Sequence, residues 1–396
     1  MNAFETLLNL SAEEKKTKGV EHTPREIAQQ PATWAKAAGI LQKRRGEIVE
    51  FMRGAGLCGE RKATLLLTGA GSSEFVGNAV APALRARLKR DVVSVPTTNI
   101  VTHPASVFVP GQNYVVLSFA RSGNSPESMA TYNLVKQVCP QAKQIAITCN
   151  KDGALAKAAK SDANSFYIEL PEETNDRSLV MTSSYSTMAF TAAGLGLLET
   201  PDELSNLAAK LGAAGQRVIK EYGGVLQKFA QRSFNRACYL GSGTLYGTMQ
   251  ECHLKMQEMT EGQVAAMFNS FVGLRHGPQV FCNKDCVIVA ALASDGFVRK
   301  YEIDMLRELK TKKQGGGTLV ICGKADAEIR ELSSEVVELF PDGSGVDDDF
   351  RVMSDVMVGQ ILATFKCMLC GLKPDNPSVS GTINRVVQGV TIYNFS

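Results

Sequence analysis

Short runs of apolar residues alternate with longer amphipathic stretches along most of the chain, and the alternation becomes regular from residue 63. Each run is continuous, as is typical of strands in a parallel sheet that is covered on both faces by helices. The pattern therefore predicts an α/β fold. The predicted strands are TLLLTG, DVVSVPT, NYVVLSFA, KQIAITCN and NSFYIEL in the first half, and RACYLG, CVIVAALA, GTLVICG and EVVELF in the second.

One pattern of strand, turn and helix occurs twice. ATLLLTGAGSSEFVGNAV at residues 63–80 and RACYLGSGTLYGTMQE at residues 236–251 each contain a short apolar strand, a Gly-x-Gly turn and the start of a helix. Backbone amides and the positive end of the helix dipole attract anions at such turns. The recurrence predicts two copies of one unit, each with a phosphate-sized hole at its strand end.

The remaining segments have helical patterns. Residues 1–60 show spaced apolar positions on a charged background, and two long helices between about residues 183 and 232 are expected to connect the halves. The second half ends in a predicted long helix near residues 350–371 and an extended tail. We predict an N-terminal helical segment over 1–45, a first domain over 46–215 and a second domain with the tail over 216–396.

Composition narrows the class of protein. The 396 residues are 44% hydrophobic and 21% charged, as expected for a soluble globular protein of two domains. A net charge of +3 without a long basic block argues against nucleic acid or a membrane surface as a partner. We find no apolar run of the ~20 residues that a bilayer requires. Scattered cysteines and the absence of a leader-like start predict a reduced, cytoplasmic protein without disulfides.

The cysteines do not predict a metal site. Cys367 and Cys370 form a CxxC pair inside an apolar run at helical spacing, with no second pair or histidine nearby. Cys282 and Cys286 are likewise isolated from other ligand types. Buried small hydrophobic residues are the favoured interpretation, and we expect no metal.

The first glycine turn is a candidate anion site. It contains Gly71, Ser72 and Ser73 after the strand, where glycine lets backbone amides approach an anion and the hydroxyls add donors. A dinucleotide-binding loop would place a third glycine where this chain has Glu74. The turn therefore favours a phosphate over a dinucleotide.

A second loop, VVLSFARSGNSPESM, is a stronger candidate. Hydroxyls, amides and the start of a helix at Pro126 converge there on one small volume, which suits a phosphate monoester held without metal. A well-capped helix without a ligand is the alternative. The residues concerned are Arg121, Ser122, Gly123, Asn124 and Ser125.

Two further features carry titratable groups. Glu251, Lys255 and Glu258 are spaced by four and three residues, which places them on one helix face. Surface salt bridging explains such a stripe equally well.

His276 lies in the turn LRHGP beside a glycine. An imidazole suits proton transfer near neutral pH.

The pairing of GAGSS with a loop similar to SxSGxS resembles the sugar isomerase (SIS) domain family, over about residues 45–396. The resemblance is strongest to galactosamine-6-phosphate deaminase/isomerases, also described as tagatose-6-phosphate ketose/aldose isomerases. It is more distant to the isomerase half of glucosamine-6-phosphate synthase. It implies two tandem SIS domains, each a mainly parallel, flavodoxin-like sheet between helices. The common family motif SQSGET is ARSGNS here, so Ala120 lacks a hydroxyl and Arg121 adds a cation.

The resemblance also implies residue roles. Ser73, Ser122 and Ser125 would hold the sugar phosphate, with Arg121 beside them. Glu258, in the family pattern ExxxKxxE, would be the base that moves a proton between C1 and C2. His276, in [KR]HGP, would open the sugar ring in the neighbouring subunit's site, which implies at least a homodimer with shared sites.

Two further segments that match family motifs imply additional contacts with the sugar. The segment SSYSTMAFT would bring Ser186 and Thr187 to the sugar, and Gln388 replaces the lysine of the synthase tail. Lys255 is expected to be ion paired and protonated, in preference to acting as a Schiff-base nucleophile. Proton transfer between C1 and C2 of a sugar phosphate needs no nicotinamide, flavin or pyridoxal group, so no cofactor is expected.

These observations predict the deaminating isomerisation of an aminohexose 6-phosphate. The first alternative is a plain aldose/ketose isomerase that acts on a hexose 6-phosphate without an amino group, with the same base. The second is a sugar-phosphate-sensing regulator without catalysis. Retention of Glu258 and His276 together, and the lack of a helix-turn-helix segment in the first 60 residues, favour an enzyme.

Overall fold

The structure is a computed structural model that describes residues 1–387 and 389–395. The chain divides into two compact units, each assembled from separate segments. The first-sheet unit comprises Ala32–Asp176, Ser183–Ala208 and the chain from Ile383 onward. The second-sheet unit comprises Met1–Pro31, Arg177–Thr182 and Ala209–Thr382.

Five helices precede the first strand, as the apolar spacing predicts. They are α1 (Ala3–Asn9), α2 (Ala12–Lys18), α3 (Thr23–Ala28), α4 (Gln30–Lys43) and α5 (Arg45–Ala55). Helices α1 and α2 begin with capping boxes, in which Asn2 pairs with Glu5 and Ser11 pairs with Glu14. These local hydrogen bonds explain why the helix starts are readable from the sequence.

The predicted boundary at residue 45 does not follow the division into units. Helices α1 to α3 belong to the second-sheet unit. The Asp375 carboxylate accepts hydrogen bonds from the backbone amides of Glu21 (2.6 Å) and Thr23 (2.7 Å) and from the Thr23 hydroxyl (2.8 Å). This attachment links the start of α3 to a residue far along the chain, so no local pattern predicts it.

The first sheet has five parallel strands. They are β1 (Thr64–Thr68), β2 (Val92–Ser94), β3 (Tyr114–Ala120), β4 (Lys143–Thr148) and β5 (Ser165–Glu169), in the spatial order β2-β1-β3-β4-β5. Both β1 and β3 are buried along their whole length, which explains their continuous apolar sequences. The helices that follow in the chain are α6 (Ser72–Leu88), α7 (Thr97–Thr102), α8 (Pro104–Val107), α9 (Pro126–Val138), α10 (Ala154–Lys160), α11 (Ser183–Gly194) and α12 (Pro201–Arg217).

The second sheet repeats this topology. Its parallel strands are β6 (Arg236–Leu240), β7 (Ala265–Asn269), β8 (Cys286–Ala291), β9 (Gly317–Cys322) and β10 (Glu335–Glu338), in the spatial order β10-β9-β8-β6-β7. When these strands are numbered from β6, the order equals that of the first sheet and is the flavodoxin-like order. The helices of this part are α13 (Gly223–Ala230), α14 (Thr244–Met259), α15 (Phe271–Leu274), α16 (Gly296–Thr311), α17 (Ala327–Leu332) and α18 (Asp348–Leu369).

Helix α18 is the core helix of the second-sheet unit. It is long and apolar enough to cross a membrane by length and composition, with a mean hydropathy of 1.4 in an 18-residue window, but 89% of that window is buried inside the protein. It packs against α13 and α14. The long helix predicted near residues 350–371 is therefore confirmed. Its apolar character is explained by burial on all sides.

The two glycine turns have the same backbone geometry. Gly71 and Gly243 both have φ of 57° and ψ of −127°, directly before α6 and α14. At Gly69 and Gly241, an added Cβ would lie 2.5 Å from the Ser73 carbonyl carbon and 2.4 Å from the Leu245 oxygen. Only glycine allows the strand and the helix to approach this closely. The predicted repeat of one strand, turn and helix is thus confirmed.

Substituting alanine at Gly71 or at Gly243 is expected to lower the free energy of unfolding by about 1–3 kcal/mol in each case. No atom lies within 4 Å of an added Cβ at either position, so the cost comes from the backbone conformation alone. Chemical denaturation of the two variants measures it. Gly39→Ala in α4 is the control, since its surroundings are also open and its φ is ordinary. A loss in the control equal to that in the turn variants would contradict this account.

Candidate active site

The serine loop, Arg121–Ser125, connects β3 to α9 at the carboxyl edge of the first sheet. Ser125 caps α9, because its Oγ accepts a hydrogen bond from the Ser128 amide at 3.3 Å. Asn150 supports the loop by donating from Nδ2 to the Ser122 carbonyl at 2.9 Å. Among the described residues, the amides of Ser122, Gly123 and Ser125 have no acceptor. Three unused donors beside a helix start form a site suited to an anion.

The first glycine turn lies at the same edge, because β1 and β3 are adjacent parallel strands with Thr68 opposite Ser118. Ser72 and Ser73 are buried at the start of α6. The Thr97 amide donates to the Gly69 carbonyl at 2.7 Å and holds the turn. Chain order reverses between these two strands, and this is where open α/β sheets bind ligands. The fold thus places the two predicted phosphate loops at one edge of one sheet.

Ser186 and Thr187 are fully buried within α11. The Ser186 hydroxyl accepts from Trp34 Nε1 at 3.0 Å, and the Thr187 and Thr33 hydroxyls lie 2.8 Å apart. These bonds hold α11 against α4. The predicted contact of Ser186 and Thr187 with a sugar stays a prediction. Gln388, the other residue expected to complete the pocket, lies outside the described residues.

Arg121 is buried and has a partner that the sequence did not indicate. Its Nη2 donates to the backbone carbonyl of Arg385 in the C-terminal tail. At least one donor of Arg121 thus serves the tail, and its contact with a phosphate stays a prediction. The physical reason is that a buried guanidinium must satisfy its donors within the protein.

The charged face of α14 is a buried cluster, and the alternative of a surface salt-bridge stripe is wrong. Lys255 Nζ lies 3.3 Å from Glu251 Oε1 and is hydrogen bonded to Glu258 Oε2. The exposed fractions of the Glu251, Lys255 and Glu258 side chains are 0%, 1% and 24%. Burial by itself would lower the pKa of Lys255, but the charges and hydrogen bonds of the two glutamates outweigh burial and raise it. Lys255 is thus ion paired, as expected, and Glu258 is the member of the cluster that solvent reaches.

His276 lies exposed in the turn after α15. Its amide donates to the Gly273 carbonyl at 3.0 Å, and Gly277 follows with φ of 113°. The neighbouring Arg275 is held by Glu308 at 2.6 Å. The turn is therefore fixed by its backbone and by Arg275, while His276 itself is exposed to solvent.

His253, on the same helix α14, packs against a side chain of the second sheet. Its ring centroid lies 4.7 Å from that of Phe268, and burial lowers its pKa. All ten cysteines are free thiols, in agreement with the prediction of no disulfides. Cys282 and Cys286 belong to a buried apolar cluster of the second-sheet unit, as predicted.

The loop after β8 lies beside the second glycine turn, because β6 and β8 are adjacent strands. After β8, the loop amides at Ala293 and Ser294 donate to the carboxylates of Glu302 and Asp348. Burial raises the pKa of Glu302, whose other oxygen has no hydrogen-bond partner among the described residues. Side-chain carboxylates thus occupy two amides of the loop after β8, and the phosphate-sized hole at the second glycine turn stays a prediction.

Comparisons with known proteins place the chain in one family. Residues 60–195 match the SIS domain family. Over 372 residues the chain is 33% identical to D-galactosamine-6-phosphate deaminase AgaS from Escherichia coli. The matched region covers 94% of this chain and 95% of that protein. The crystal structure of tagatose-6-phosphate ketose/aldose isomerase from Escherichia coli matches with a TM-score of 0.85 and 30% identity, over 94% of this chain and 96% of that one.

A more distant structure shows the shared fold alone. It is the C-terminal domain of glucosamine-fructose-6-phosphate aminotransferase from Francisella tularensis, with a TM-score of 0.71 and 19% identity over 90% of this chain and 99% of that one. The resemblance read from GAGSS and ARSGNS is therefore confirmed, as are the two parallel sheets that it implied. The chain belongs to the SIS domain family and is related over nearly its whole length to the AgaS deaminase.

Proposed function

We propose that this protein converts an aminohexose 6-phosphate and water into a ketose 6-phosphate and ammonia, with D-galactosamine 6-phosphate and D-tagatose 6-phosphate as the preferred pair. The observation that carries the proposal is the α14 cluster, in which two buried charges hold a third, accessible carboxylate, Glu258. A fixed carboxylate of this kind suits proton abstraction from carbon. Relatives named as a galactosamine-6-phosphate deaminase and a tagatose-6-phosphate isomerase support the substrate class.

In the proposed mechanism the serine loop and the first glycine turn bind the phosphate, and His276 assists ring opening. Glu258 removes the C2 proton of the open-chain sugar, which gives an enolamine across C1 and C2. Protonation at C1 yields a 2-imine, and water hydrolyses it to the ketose and ammonia. These steps require a base, a proton shuttle and electrostatic positioning. Lys255 acts in this scheme by holding Glu258 in place.

A single assay separates the proposal from its alternatives. Release of ammonium is measured with galactosamine 6-phosphate and glucosamine 6-phosphate side by side, and ketose formation is measured with galactose 6-phosphate. Ammonium from one amino sugar supports the deaminase and identifies the C4 epimer. Ketose without ammonium would favour the plain isomerase, and binding without turnover would favour the regulator.

The serine loop is expected to govern substrate affinity. Ser122→Ala should raise KM for the sugar phosphate about tenfold and change kcat by less than about threefold, because a hydrogen bond to a charged phosphate oxygen is lost in ground state and transition state alike. Steady-state kinetics measure both constants. Ser161→Ala, at the other end of the same sheet, is the control. An unchanged KM in Ser122→Ala would remove this hydroxyl from the phosphate site.

We propose further that His276 acts in the site of a second copy of the chain, so that a homodimer is the smallest active form. His276 is exposed, which leaves its imidazole available for contact with a neighbour. Coexpression of Glu258→Gln and His276→Ala chains, each inactive alone, should recover about a quarter of the wild-type activity. Half of the random dimers are mixed, and each mixed dimer holds one intact site. Absence of recovery would exclude the shared site.

A further inference from the structure

Arg385 in the C-terminal tail joins two separate segments of the first-sheet unit. Its Nε donates to the Asp176 carbonyl at 2.7 Å, and its Nη2 donates to the Asn175 side-chain oxygen at 2.7 Å. Its own backbone carbonyl accepts a hydrogen bond from Arg121. One tail residue thus holds the turn at 175–176 with its side chain and the first residue of the serine loop with its backbone.

The turn at 175–176 is itself a fixed structure. The Asp176 carboxylate is fully buried and accepts from the Ser184 amide at 2.9 Å, from the Ser184 hydroxyl at 2.6 Å and from the Ser183 hydroxyl. These bonds cap the start of α11, the helix that carries Ser186 and Thr187. Arg385 is therefore anchored to a rigid helix start rather than to a mobile loop.

The other end of this connection lies beside the phosphate loop. Arg121 is 7% exposed, so its guanidinium depends on protein acceptors for its orientation. It directly precedes Ser122, whose amide has no acceptor among the described residues. The orientation of the Arg121 guanidinium consequently determines the electrostatic field at the proposed phosphate site. It also determines the shape of the space that the serine loop leaves for the phosphate.

We propose that Arg385 is a positioning residue that fixes Arg121 for phosphate binding, an inference that rests on the function proposed above. The side chain of Arg385 holds the tail against the 175–176 turn, and this attachment presents the Arg385 carbonyl to Arg121. Without the side chain, the tail loses its anchor and Arg121 loses a fixed acceptor. Arg385 acts through Arg121 and does not contact the substrate.

The test uses the full chain and inorganic phosphate as the probe, with binding measured by titration calorimetry. Arg385→Ala is expected to weaken phosphate binding about tenfold and to raise KM by a similar factor, while kcat changes less than about threefold. Arg385→Lys should recover part of the affinity, because an ammonium group reaches one of the two acceptors. Phosphate affinity equal to that of the wild type in Arg385→Ala would overturn the proposal.

A double-variant cycle distinguishes positioning from a general structural effect. In the Arg121→Ala background, Arg385→Ala should weaken phosphate binding by less than about twofold, since the residue through which it acts is absent. An equal loss in both backgrounds would overturn the link through Arg121. Tyr393→Ala is the matched control in the same tail, because that side chain is 83% exposed. A tenfold loss in this control would show that any change in the tail disturbs the loop, which would also overturn a specific role for Arg385.

The outcome for the wild-type chain separates this inference from the proposed function. If the wild type binds neither inorganic phosphate nor a sugar 6-phosphate, the phosphate site itself is absent and the proposed function fails. If the wild type binds phosphate and Arg385→Ala binds it equally well, the site stands and only the positioning role fails.

Discussion

Glu258→Gln is expected to lower kcat by about 10²- to 10⁴-fold, the range of a lost general base, while phosphate affinity stays close to that of the wild type. The amide keeps the size and the hydrogen-bonding oxygen of the carboxylate but cannot accept the C2 proton. Glu251 remains 3.3 Å from Lys255, so the buried lysine keeps a counter-charge and the helix is expected to stay folded. Steady-state kinetics on the amino sugar phosphate provide the measurement.

The control for this experiment is Glu331→Gln, which removes an equal charge from an exposed side chain of the same unit. It should leave kcat and KM unchanged. Exchange of the C2 hydrogen with deuterated solvent adds a direct readout, because Glu258→Gln should abolish it together with turnover. Turnover that persists in Glu258→Gln would assign proton abstraction to another residue.

The sheets were predictable because their signal is local. Strands such as β3, with every position buried, must be apolar throughout, and the Gly-x-Gly turns are required by close contacts between each turn and its own helix. Recurrence of that pattern, at Gly71 and Gly243, was sufficient to predict two copies of one parallel unit. The serine loop was predictable for the same reason, since its hydroxyls, glycine and proline are consecutive in the chain.

The features of the candidate site that the sequence did not predict are contacts between residues far apart in the chain. Arg121 pairs with the carbonyl of Arg385, a residue 264 positions away, and no spacing indicates that contact. Asp348 and Glu302 lie on helices that follow in the chain, and their carboxylates accept hydrogen bonds from amides of the loop after β8. A glycine turn therefore predicts the backbone geometry of an anion site, whereas occupancy of that site depends on side chains from distant segments.

Lys255→Met is expected to lower the free energy of unfolding at pH 7 by about 3–5 kcal/mol, the usual cost of leaving one partner of a buried ion pair without its counter-charge. The Glu251 side chain is fully buried beside Lys255, and methionine fills the space of the lysine without offering a donor. Chemical denaturation measures the loss. The double variant Glu251→Gln, Lys255→Met should regain most of it, because the fully buried carboxylate is then gone and the remaining one, Glu258, is reached by solvent. A single variant as stable as the wild type would show that the cluster does not contribute to folding.

The pH dependence of the same variants tests the charge state of Lys255. Although burial alone lowers its pKa, the two glutamates raise it in the folded protein. Its contribution to stability is therefore complete below the pKa of the unfolded chain, about 10.4, and is lost as the pH rises through the higher folded value. The wild type should lose stability more steeply above about pH 10 than the double variant, which lacks the lysine. Equal slopes in this range would show that Lys255 keeps an ordinary pKa in the folded protein, and would remove the argument that the charge of Lys255 holds Glu258 in place.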